Sequence, residues 1–511
     1  MGEQKDRRLA GWIRIIVAIL ALLSQIILIA VLSDVLKNQA VYIYFAIEVL
    51  ALFTVIFMIS HNRNSSYTIA WLLIIIILPV FGFILFYLWG RGPVSGRHGR
   101  RMRDLMDRGS AFLEIDPSVF EQFESDHLSR KRFSSYLRYH GFPLYRHTKS
   151  NYYKVGEDQF EAMLKDIEKA EKFVFLEYFI FNVGQLWDRF EEVLIRKAEQ
   201  GVEVRIMFDD FGSIIRAPGN LVQRMGKHNI QVQRFNPIHK FTSRLYINYR
   251  NHQKIAIIDG NIAYTGGANL SDEYANIYPK FGHWKDTAVR LEGDAVWSLT
   301  VTFLEMWDSE KVKPSNYELY RPSISHQGEG YYQPFTDGPL NNPDNPTEDM
   351  YRMMINNALD YVYITTPYLV IDNHMMSALI TAAESGADVR IITPKIFDKW
   401  YVHYVTQSNY GPLLEAGVRI YEYTPGFMHA KMIISDDDHG IIGSINMDYR
   451  SFHYHFENGV WMVGSPIIRD IKRDMMQIFS QSEEISLEAW AKRPWYIKGL
   501  QTVLRLFSVL L

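Results

Sequence analysis

Two short constellations in this chain of 511 residues carry the residue types needed to move a phosphoryl group. His252, Lys254, Asp259 and Asn269 form the first; His429, Lys431, Asp436 and Asn446 form the second. In both copies lysine follows histidine by 2 residues, aspartate by 7 and asparagine by 17. The side-chain period of a strand puts His and Lys on one face. Asp259 with Gly260 reads as a tight turn, lengthened in the second copy by Asp437 and Asp438. The small residues Gly266 and Gly267, matched by Gly443 and Ser444, are expected to let the backbone approach a ligand closely. An imidazole, a fixed positive charge and an amide donor would then converge on one spot. A phosphodiester needs those groups as nucleophile, charge clamp and donors to its equatorial oxygens. One such match could be chance; two with identical offsets inside a wider repeat point to chemistry.

The elements that must position these groups repeat as well. Residues 198–206 return as 383–391, each reading as a helix that ends at a glycine and is followed by a β-branched strand. Residues 172–180 and 361–369 both read as buried strands. The order strand, helix, strand, hairpin predicts an α/β fold of two similar halves, each a mixed sheet flanked by helices. The halves are expected at 151–326 and 348–485. Between them, 327–347 is rich in Gly, Pro, Asn and Asp and reads as a loop. Residues 93–150 read as a basic connector. Over 486–511 an amphipathic C-terminal helix puts Lys498, Gln501, Arg505 and Ser508 on one face and Leu500, Val503, Leu504 and Phe507 on the other. Packing on the domain and lying in a membrane interface fit this pattern equally.

Residues 1–92 form the expected membrane anchor. Trp12–Leu32, Val41–Ile59 and Tyr67–Trp89 are each about long enough to be N-terminal transmembrane helices, giving two or three hydrophobic segments and a multi-pass protein. Lys5, Arg7 and Arg8 precede them, and Arg91, Arg97, Arg100, Arg101 and Arg103 follow. Positive residues favour the cytoplasmic side, so both ends and the catalytic domain belong there, which demands an even number of crossings. One of the three segments must then lie in the interface or re-enter. Arg14 and Gln25 weaken the first; Pro79 and Gly82 mark the third as a broken helix. A net charge of −3 with 22% charged residues gives no basic excess, so no nucleic-acid partner is expected. The absence of cysteine excludes disulfides, thiolate metal sites and cysteine nucleophiles.

The doubled constellation resembles the paired HKD motif of the phospholipase D superfamily over about 159–482. Residues 71–82 with Trp89, Gly90 and Arg91, the stretch 264–270, and 492–495 with the apolar tail behind it are similar to bacterial cardiolipin synthases. That group usually has two hydrophobic segments, matching the second and third here, so Trp12–Leu32 is an addition. The resemblance implies two α/β halves whose motifs meet at one active site. One histidine attacks phosphorus to give a phosphohistidine, and the other protonates the leaving alcohol and then deprotonates the incoming one. It implies His252 as nucleophile and His429 as acid/base, with an exchange of roles left open. Lys254, Lys431, Asn269 and Asn446 would hold the phosphate, and Asp286 and Glu457 would orient the histidines. Asp259 and Asp436, though part of the motif, read as holding the turn. His283, His439, His453 and His455 read as bystanders, and Lys240, Arg244 and Arg250 as a basic lip or a solvated loop. The implied reaction joins two phosphatidylglycerol molecules into cardiolipin and glycerol, with anionic phospholipids of the bacterial cell membrane as partners, no metal and no cofactor. A phospholipase D or phosphatidylserine synthase with a different acceptor is the alternative, and a membrane-tethered endonuclease a more distant one.

Overall fold

The computed structural model describes residue 27 and residues 40–61, 65–86, 97–214, 216–237, 248–311, 313–340 and 344–510. Its body is two sheets of matching order. The first runs β1 (Thr148–Tyr153), β9 (Ala288–Gly293), β7 (Ile262–Gly266), β6 (Ile255–Ile258), β2 (Phe173–Tyr178), β3 (Glu203–Asp209), β4 (Gln231–Phe235). The second repeats this with β10 (Tyr331–Asp337), β17 (His455–Val463), β16 (His439–Gly443), β15 (Met432–Ser435), β11 (Tyr361–Thr365), β12 (Asp388–Pro394) and β13 (Arg419–Tyr423), and adds β18 (Ser482–Glu484). In each, three parallel strands sit beside an antiparallel meander. Every residue of β2 and of β11 is buried, because each of these strands is covered on both faces.

The inner faces share one core. Phe175, Ile257 and Phe303 of the first half belong to the same apolar cluster as Met432, Ile434 and Met462 of the second. Helices cover each outer face with a cluster of its own, around Trp187 in the first half and Trp461 in the second. The expected α/β architecture with two similar halves is therefore present.

Two boundaries differ from expectation. Residues 327–347 are not simply a loop, since Tyr331–Asp337 forms β10 and pairs along its length with β17. Its buried Tyr331, Tyr332 and Phe335 outweigh the turn-forming residues around it. The basic connector is helical and packed. Met102 and Leu105 of the helix Arg97–Ser110 are buried, and Phe133 stacks on Trp461 at 5.6 Å. Arginine density on the outer faces hid this apolar spacing.

Trp12–Leu32 lies outside the described residues apart from Ile27. The second segment is the helix Ala40–His61, and the third is broken into Ser65–Ile77 and Pro79–Leu85. Leu78, at φ −131° and ψ 72°, leaves the helical region just before Pro79. A Cβ on Gly82 would sit 2.6 Å from the Ile74 carbonyl oxygen, so the short helix folds back tightly on the one before it. Among the described residues no helix is long and apolar enough to cross a membrane. The α/β halves of the expected architecture are thus seen and its transmembrane part is not.

Candidate active site

The catalytic strands change partners between halves. β5 (Arg250–Asn251) leaves the first sheet and runs parallel to the start of β17, and the His252 N–H donates to the Phe456 carbonyl at 2.9 Å. β14 (Gly426–Met428) runs parallel to β8 (His283–Lys285), and the His429 N–H donates to the Lys285 carbonyl at 2.8 Å. In both cases the next residue on the partner strand is an acid. Glu457 Oε1 lies 2.8 Å from His252 Nδ1, and Asp286 Oδ2 lies 2.6 Å from His429 Nδ1. With Nδ1 engaged, Nε2 is the nitrogen each imidazole has left for substrate.

Burial pushes His252 well below its ordinary value, and the charges of Lys254, Lys431 and His429 push it further, so both motifs act on one spot. Burial and Lys431 bring His429 down to about 4, with Asp286 pulling the other way. Burial also lowers the lysines, Lys254 to about 7 and Lys431 to about 8, against the opposing charges of Glu457 and Asp286. Each lysine donates to the carbonyl of its own histidine, and Lys431 Nζ lies 2.8 Å from His429 Nδ1 as well.

The small residues meet protein rather than ligand. A Cβ on Gly266 would lie 2.2 Å from the Thr287 carbonyl, and one on Gly443 2.2 Å from that of Asn458. A Cβ on Gly267 would lie 2.1 Å from Asp286 Oδ1. In the second copy Ser444 occupies this place, and its hydroxyl donates to Glu457 Oε2 at 2.5 Å.

The motif aspartates face the backbone. Asp259, at φ 53°, accepts from the N–H groups of Glu171, Lys172 and Phe173. Asp436, at φ 54°, accepts from Leu359, Asp360 and Tyr361, and Arg130 closes on it at 3.2 Å. Neither carboxylate is brought to the histidines; each ties its hairpin turn to the neighbouring strand. Asn269 accepts from the Ile180 N–H and donates to the Tyr274 hydroxyl, which leaves one amide hydrogen for a ligand. Asn446 is buried, and among the described residues its Oδ1 has no hydrogen-bond partner.

His455 is not a bystander. Its ring centroid lies 5.2 Å from that of His252, and its Nδ1 lies 3.7 Å from the same Glu457 oxygen. The signal was present in the sequence: two residues before an orienting acid on a strand means the same face. Trp284 stands in the corresponding place before Asp286, 5.5 Å from the His429 ring. The other three histidines are elsewhere, His283 on the Tyr423 hydroxyl, His439 against Phe133 and His453 on Tyr449. Of the supposed basic lip, Lys240 and Arg244 lie outside the described residues. Arg250 is buried, 3.5 Å from Asp209, so it forms no exposed lip. One cluster among the described residues has the atoms to hold a cation: His252, His455 and Glu457, with ligand atoms within 4.8 Å of one another. Lys254 and Lys431 beside it weigh against a cation there.

Residues 163–278 and 351–479 match the family model described as cardiolipin synthase, PLD-like domain, and 49–91 match a phospholipase D-nuclease N-terminal model. An uncharacterized protein of Streptococcus mutans is 38% identical over 90% of this chain and 99% of its own length. The cardiolipin synthase of Geobacillus kaustophilus is 33% identical over 88% of this chain and 90% of its own length. Cardiolipin synthase 2 of Bacillus anthracis is also 33% identical, over 88% of each chain. The phosphatidylserine synthase of Haemophilus influenzae has the same fold, with a TM-score of 0.55 at 12% identity over 71% of this chain and 93% of that one. Both motifs and Glu457 fall within the stretches matched by the family model, with Asp286 just beyond the first, and the chain belongs to the cardiolipin synthase family of phospholipase D-like phosphatidyltransferases.

Proposed function

We propose that this chain makes cardiolipin from two phosphatidylglycerol molecules by double displacement at phosphorus. In the first step His252 Nε2 attacks the phosphorus of one phosphatidylglycerol. The bond to the glycerol headgroup oxygen breaks, His429 gives that oxygen its proton, and glycerol leaves. In the second step the free headgroup hydroxyl of another phosphatidylglycerol loses its proton to His429 and attacks phosphorus. The P–N bond breaks and His252 returns as it began. One phosphodiester replaces another, so no external energy source enters. Lys254 and Lys431 neutralise the diester and hold its equatorial oxygens, with the remaining amide hydrogen of Asn269 and the Asn446 side chain as further donors.

The observation that carries this reading is the pair of histidine–carboxylate contacts, each spanning the two halves. The division of roles rests on an asymmetry. Glu457 Oε1 is shared between His252 and His455, whereas among the described residues no second imidazole stands at Asp286, so His429 is the more readily protonated ring. Membrane contact follows from substrate chemistry and from exposed apolar side chains such as Tyr42, Phe45 and Phe53 on the helix Ala40–His61.

Mass spectrometry of lipids after mixing purified protein with phosphatidylglycerol vesicles tests the proposal. Cardiolipin and glycerol from the wild type, and neither from His252→Ala or His429→Ala, support it. Phosphatidic acid without cardiolipin would make water the acceptor and the chain a hydrolase.

A further inference from the structure

We infer that the helices Ser65–Ile77 and Pro79–Leu85 enter and leave the same leaflet, a re-entrant hairpin with the catalytic body on one side at both ends. This rests on the membrane reading above and goes beyond it.

Both ends of the segment are fastened to the same body. At the entry, the Tyr67 ring lies 6.3 Å from that of Tyr454, and Ala70 is buried against Tyr449 and Val509. At the exit, Arg101 donates to the Asp308 carbonyl at 3.1 Å, and Met102 is buried in the core between the sheets. A chain that starts and finishes on one rigid body does not change sides between those points. The helix Ser65–Ile77 has 13 residues, which gives a rise of about 20 Å against a hydrocarbon core of about 30 Å. It then breaks at Leu78 and Pro79 and turns back over Ile74 at Gly82. Two donors at the break keep backbone partners: Leu78 N–H reaches the Ile74 carbonyl at 2.9 Å, Gly82 N–H reaches that of Leu78 at 2.6 Å, and Pro79 has no N–H to satisfy. Non-helical backbone at membrane depth requires this. Near the break Ile76 and Ile77 are 65% and 66% exposed, which suits lipid tails. Tyr454 adjoins His455 in the chain, so the hairpin enters the bilayer beside the catalytic cleft and sets the cleft at the headgroups of that leaflet.

The chain has no cysteine, so single cysteines at Ser60, Ile77 and Ser110 can be probed with a membrane-impermeant maleimide in intact cells and in inside-out vesicles. Ser60→Cys and Ser110→Cys should label from the same side only, and Ile77→Cys from neither. A nitroxide on Ile77→Cys should report contact with lipid tails. Labelling of Ser60→Cys and Ser110→Cys from opposite sides, or of Ile77→Cys from either face, would overturn the hairpin. The lipid assay is run on the same variants, so a fully active protein with the wrong labelling pattern refutes the hairpin and spares the transferase.

Discussion

Glu457 Oε1 and His252 Nδ1 stand 2.8 Å apart although 205 residues separate them, and they belong to opposite halves. The mirror contact from Asp286 to His429 spans 143 residues. In the proposed mechanism each carboxylate fixes a tautomer and stabilises the imidazolium when it forms. Glu457→Gln and Asp286→Asn should therefore lower kcat by about 10²–10⁴-fold with KM little changed. A change confined to KM would mean the acids bind substrate rather than orient the rings.

The roles of the histidines separate on an activated donor. With a phosphatidyl ester of p-nitrophenol the leaving group needs no proton, so His429→Ala should release nitrophenol in a burst and accumulate phosphohistidine on His252. His252→Ala should show neither. A burst from His252→Ala and none from His429→Ala, followed by intact-mass analysis, would reverse the assignment.

Gly267 is where Asp286 has its room, and the second half solves the same packing with Ser444 and the longer Glu457. Gly267→Ala should cost at least tenfold in kcat by driving the carboxylate off His429. The double variant Gly267→Ser, Asp286→Glu copies the second half and should recover part of that loss. Equal activity of Gly267→Ala and wild type would show that the backbone gives way at no expense to the ring contact.

Activity should fall at alkaline pH. Lys254 and Lys431 are held down to about 7 and about 8, so above those values they must take up protons to receive an anionic diester. A profile of kcat/KM from pH 6 to 10 should decline beyond about 7 and more steeply beyond about 8, mostly through KM, by up to about tenfold per pH unit for each lysine. Lys254→Arg stays charged and should flatten the limb, although at a lower maximum. A flat wild-type profile to pH 10 would contradict the clamp.

Acid should unfold the protein early. Burial holds His429 and His453 at about 4 and His439 and His455 at about 3, all below the 6.5 of an exposed imidazole. Between those values the unfolded chain binds protons that the folded one does not. Stability is therefore complete above pH 6.5 and declines as pH falls toward 4, by up to about 1.4 kcal/mol per pH unit for each ring. Thermal unfolding in detergent should show Tm dropping from pH 7.5 to 5.5; a constant Tm would mean the rings are solvated.

The motifs and the repeat were legible in the sequence because spacing along a strand is a local property, whereas Asp286 and Glu457 were marked out by the family resemblance alone. The exchange of strands between halves was not, since β5 and β14 are short and their partners lie far away in the chain. Gly267 was misread for the same reason: its neighbour is Asp286, which only the folded sheet brings near. Arg250 looked like surface charge until Asp209 was found beside it. Tyr331–Asp337 hid among turn formers, yet its pairing with β17 overrides local preference. His455 is legible only by strand face, as the residue two before Glu457 on β17.

The interlocked strands give the chain the build of a fused dimer in which each motif histidine takes its carboxylate contact from the other half. On the proposed mechanism a lesion at Glu457 should disable the first copy, and one at Asp286 the second. Drift in either half must be answered across the seam, so the two copies can diverge only together. Expressed apart, each half should be inert, and activity should return only when the halves meet again.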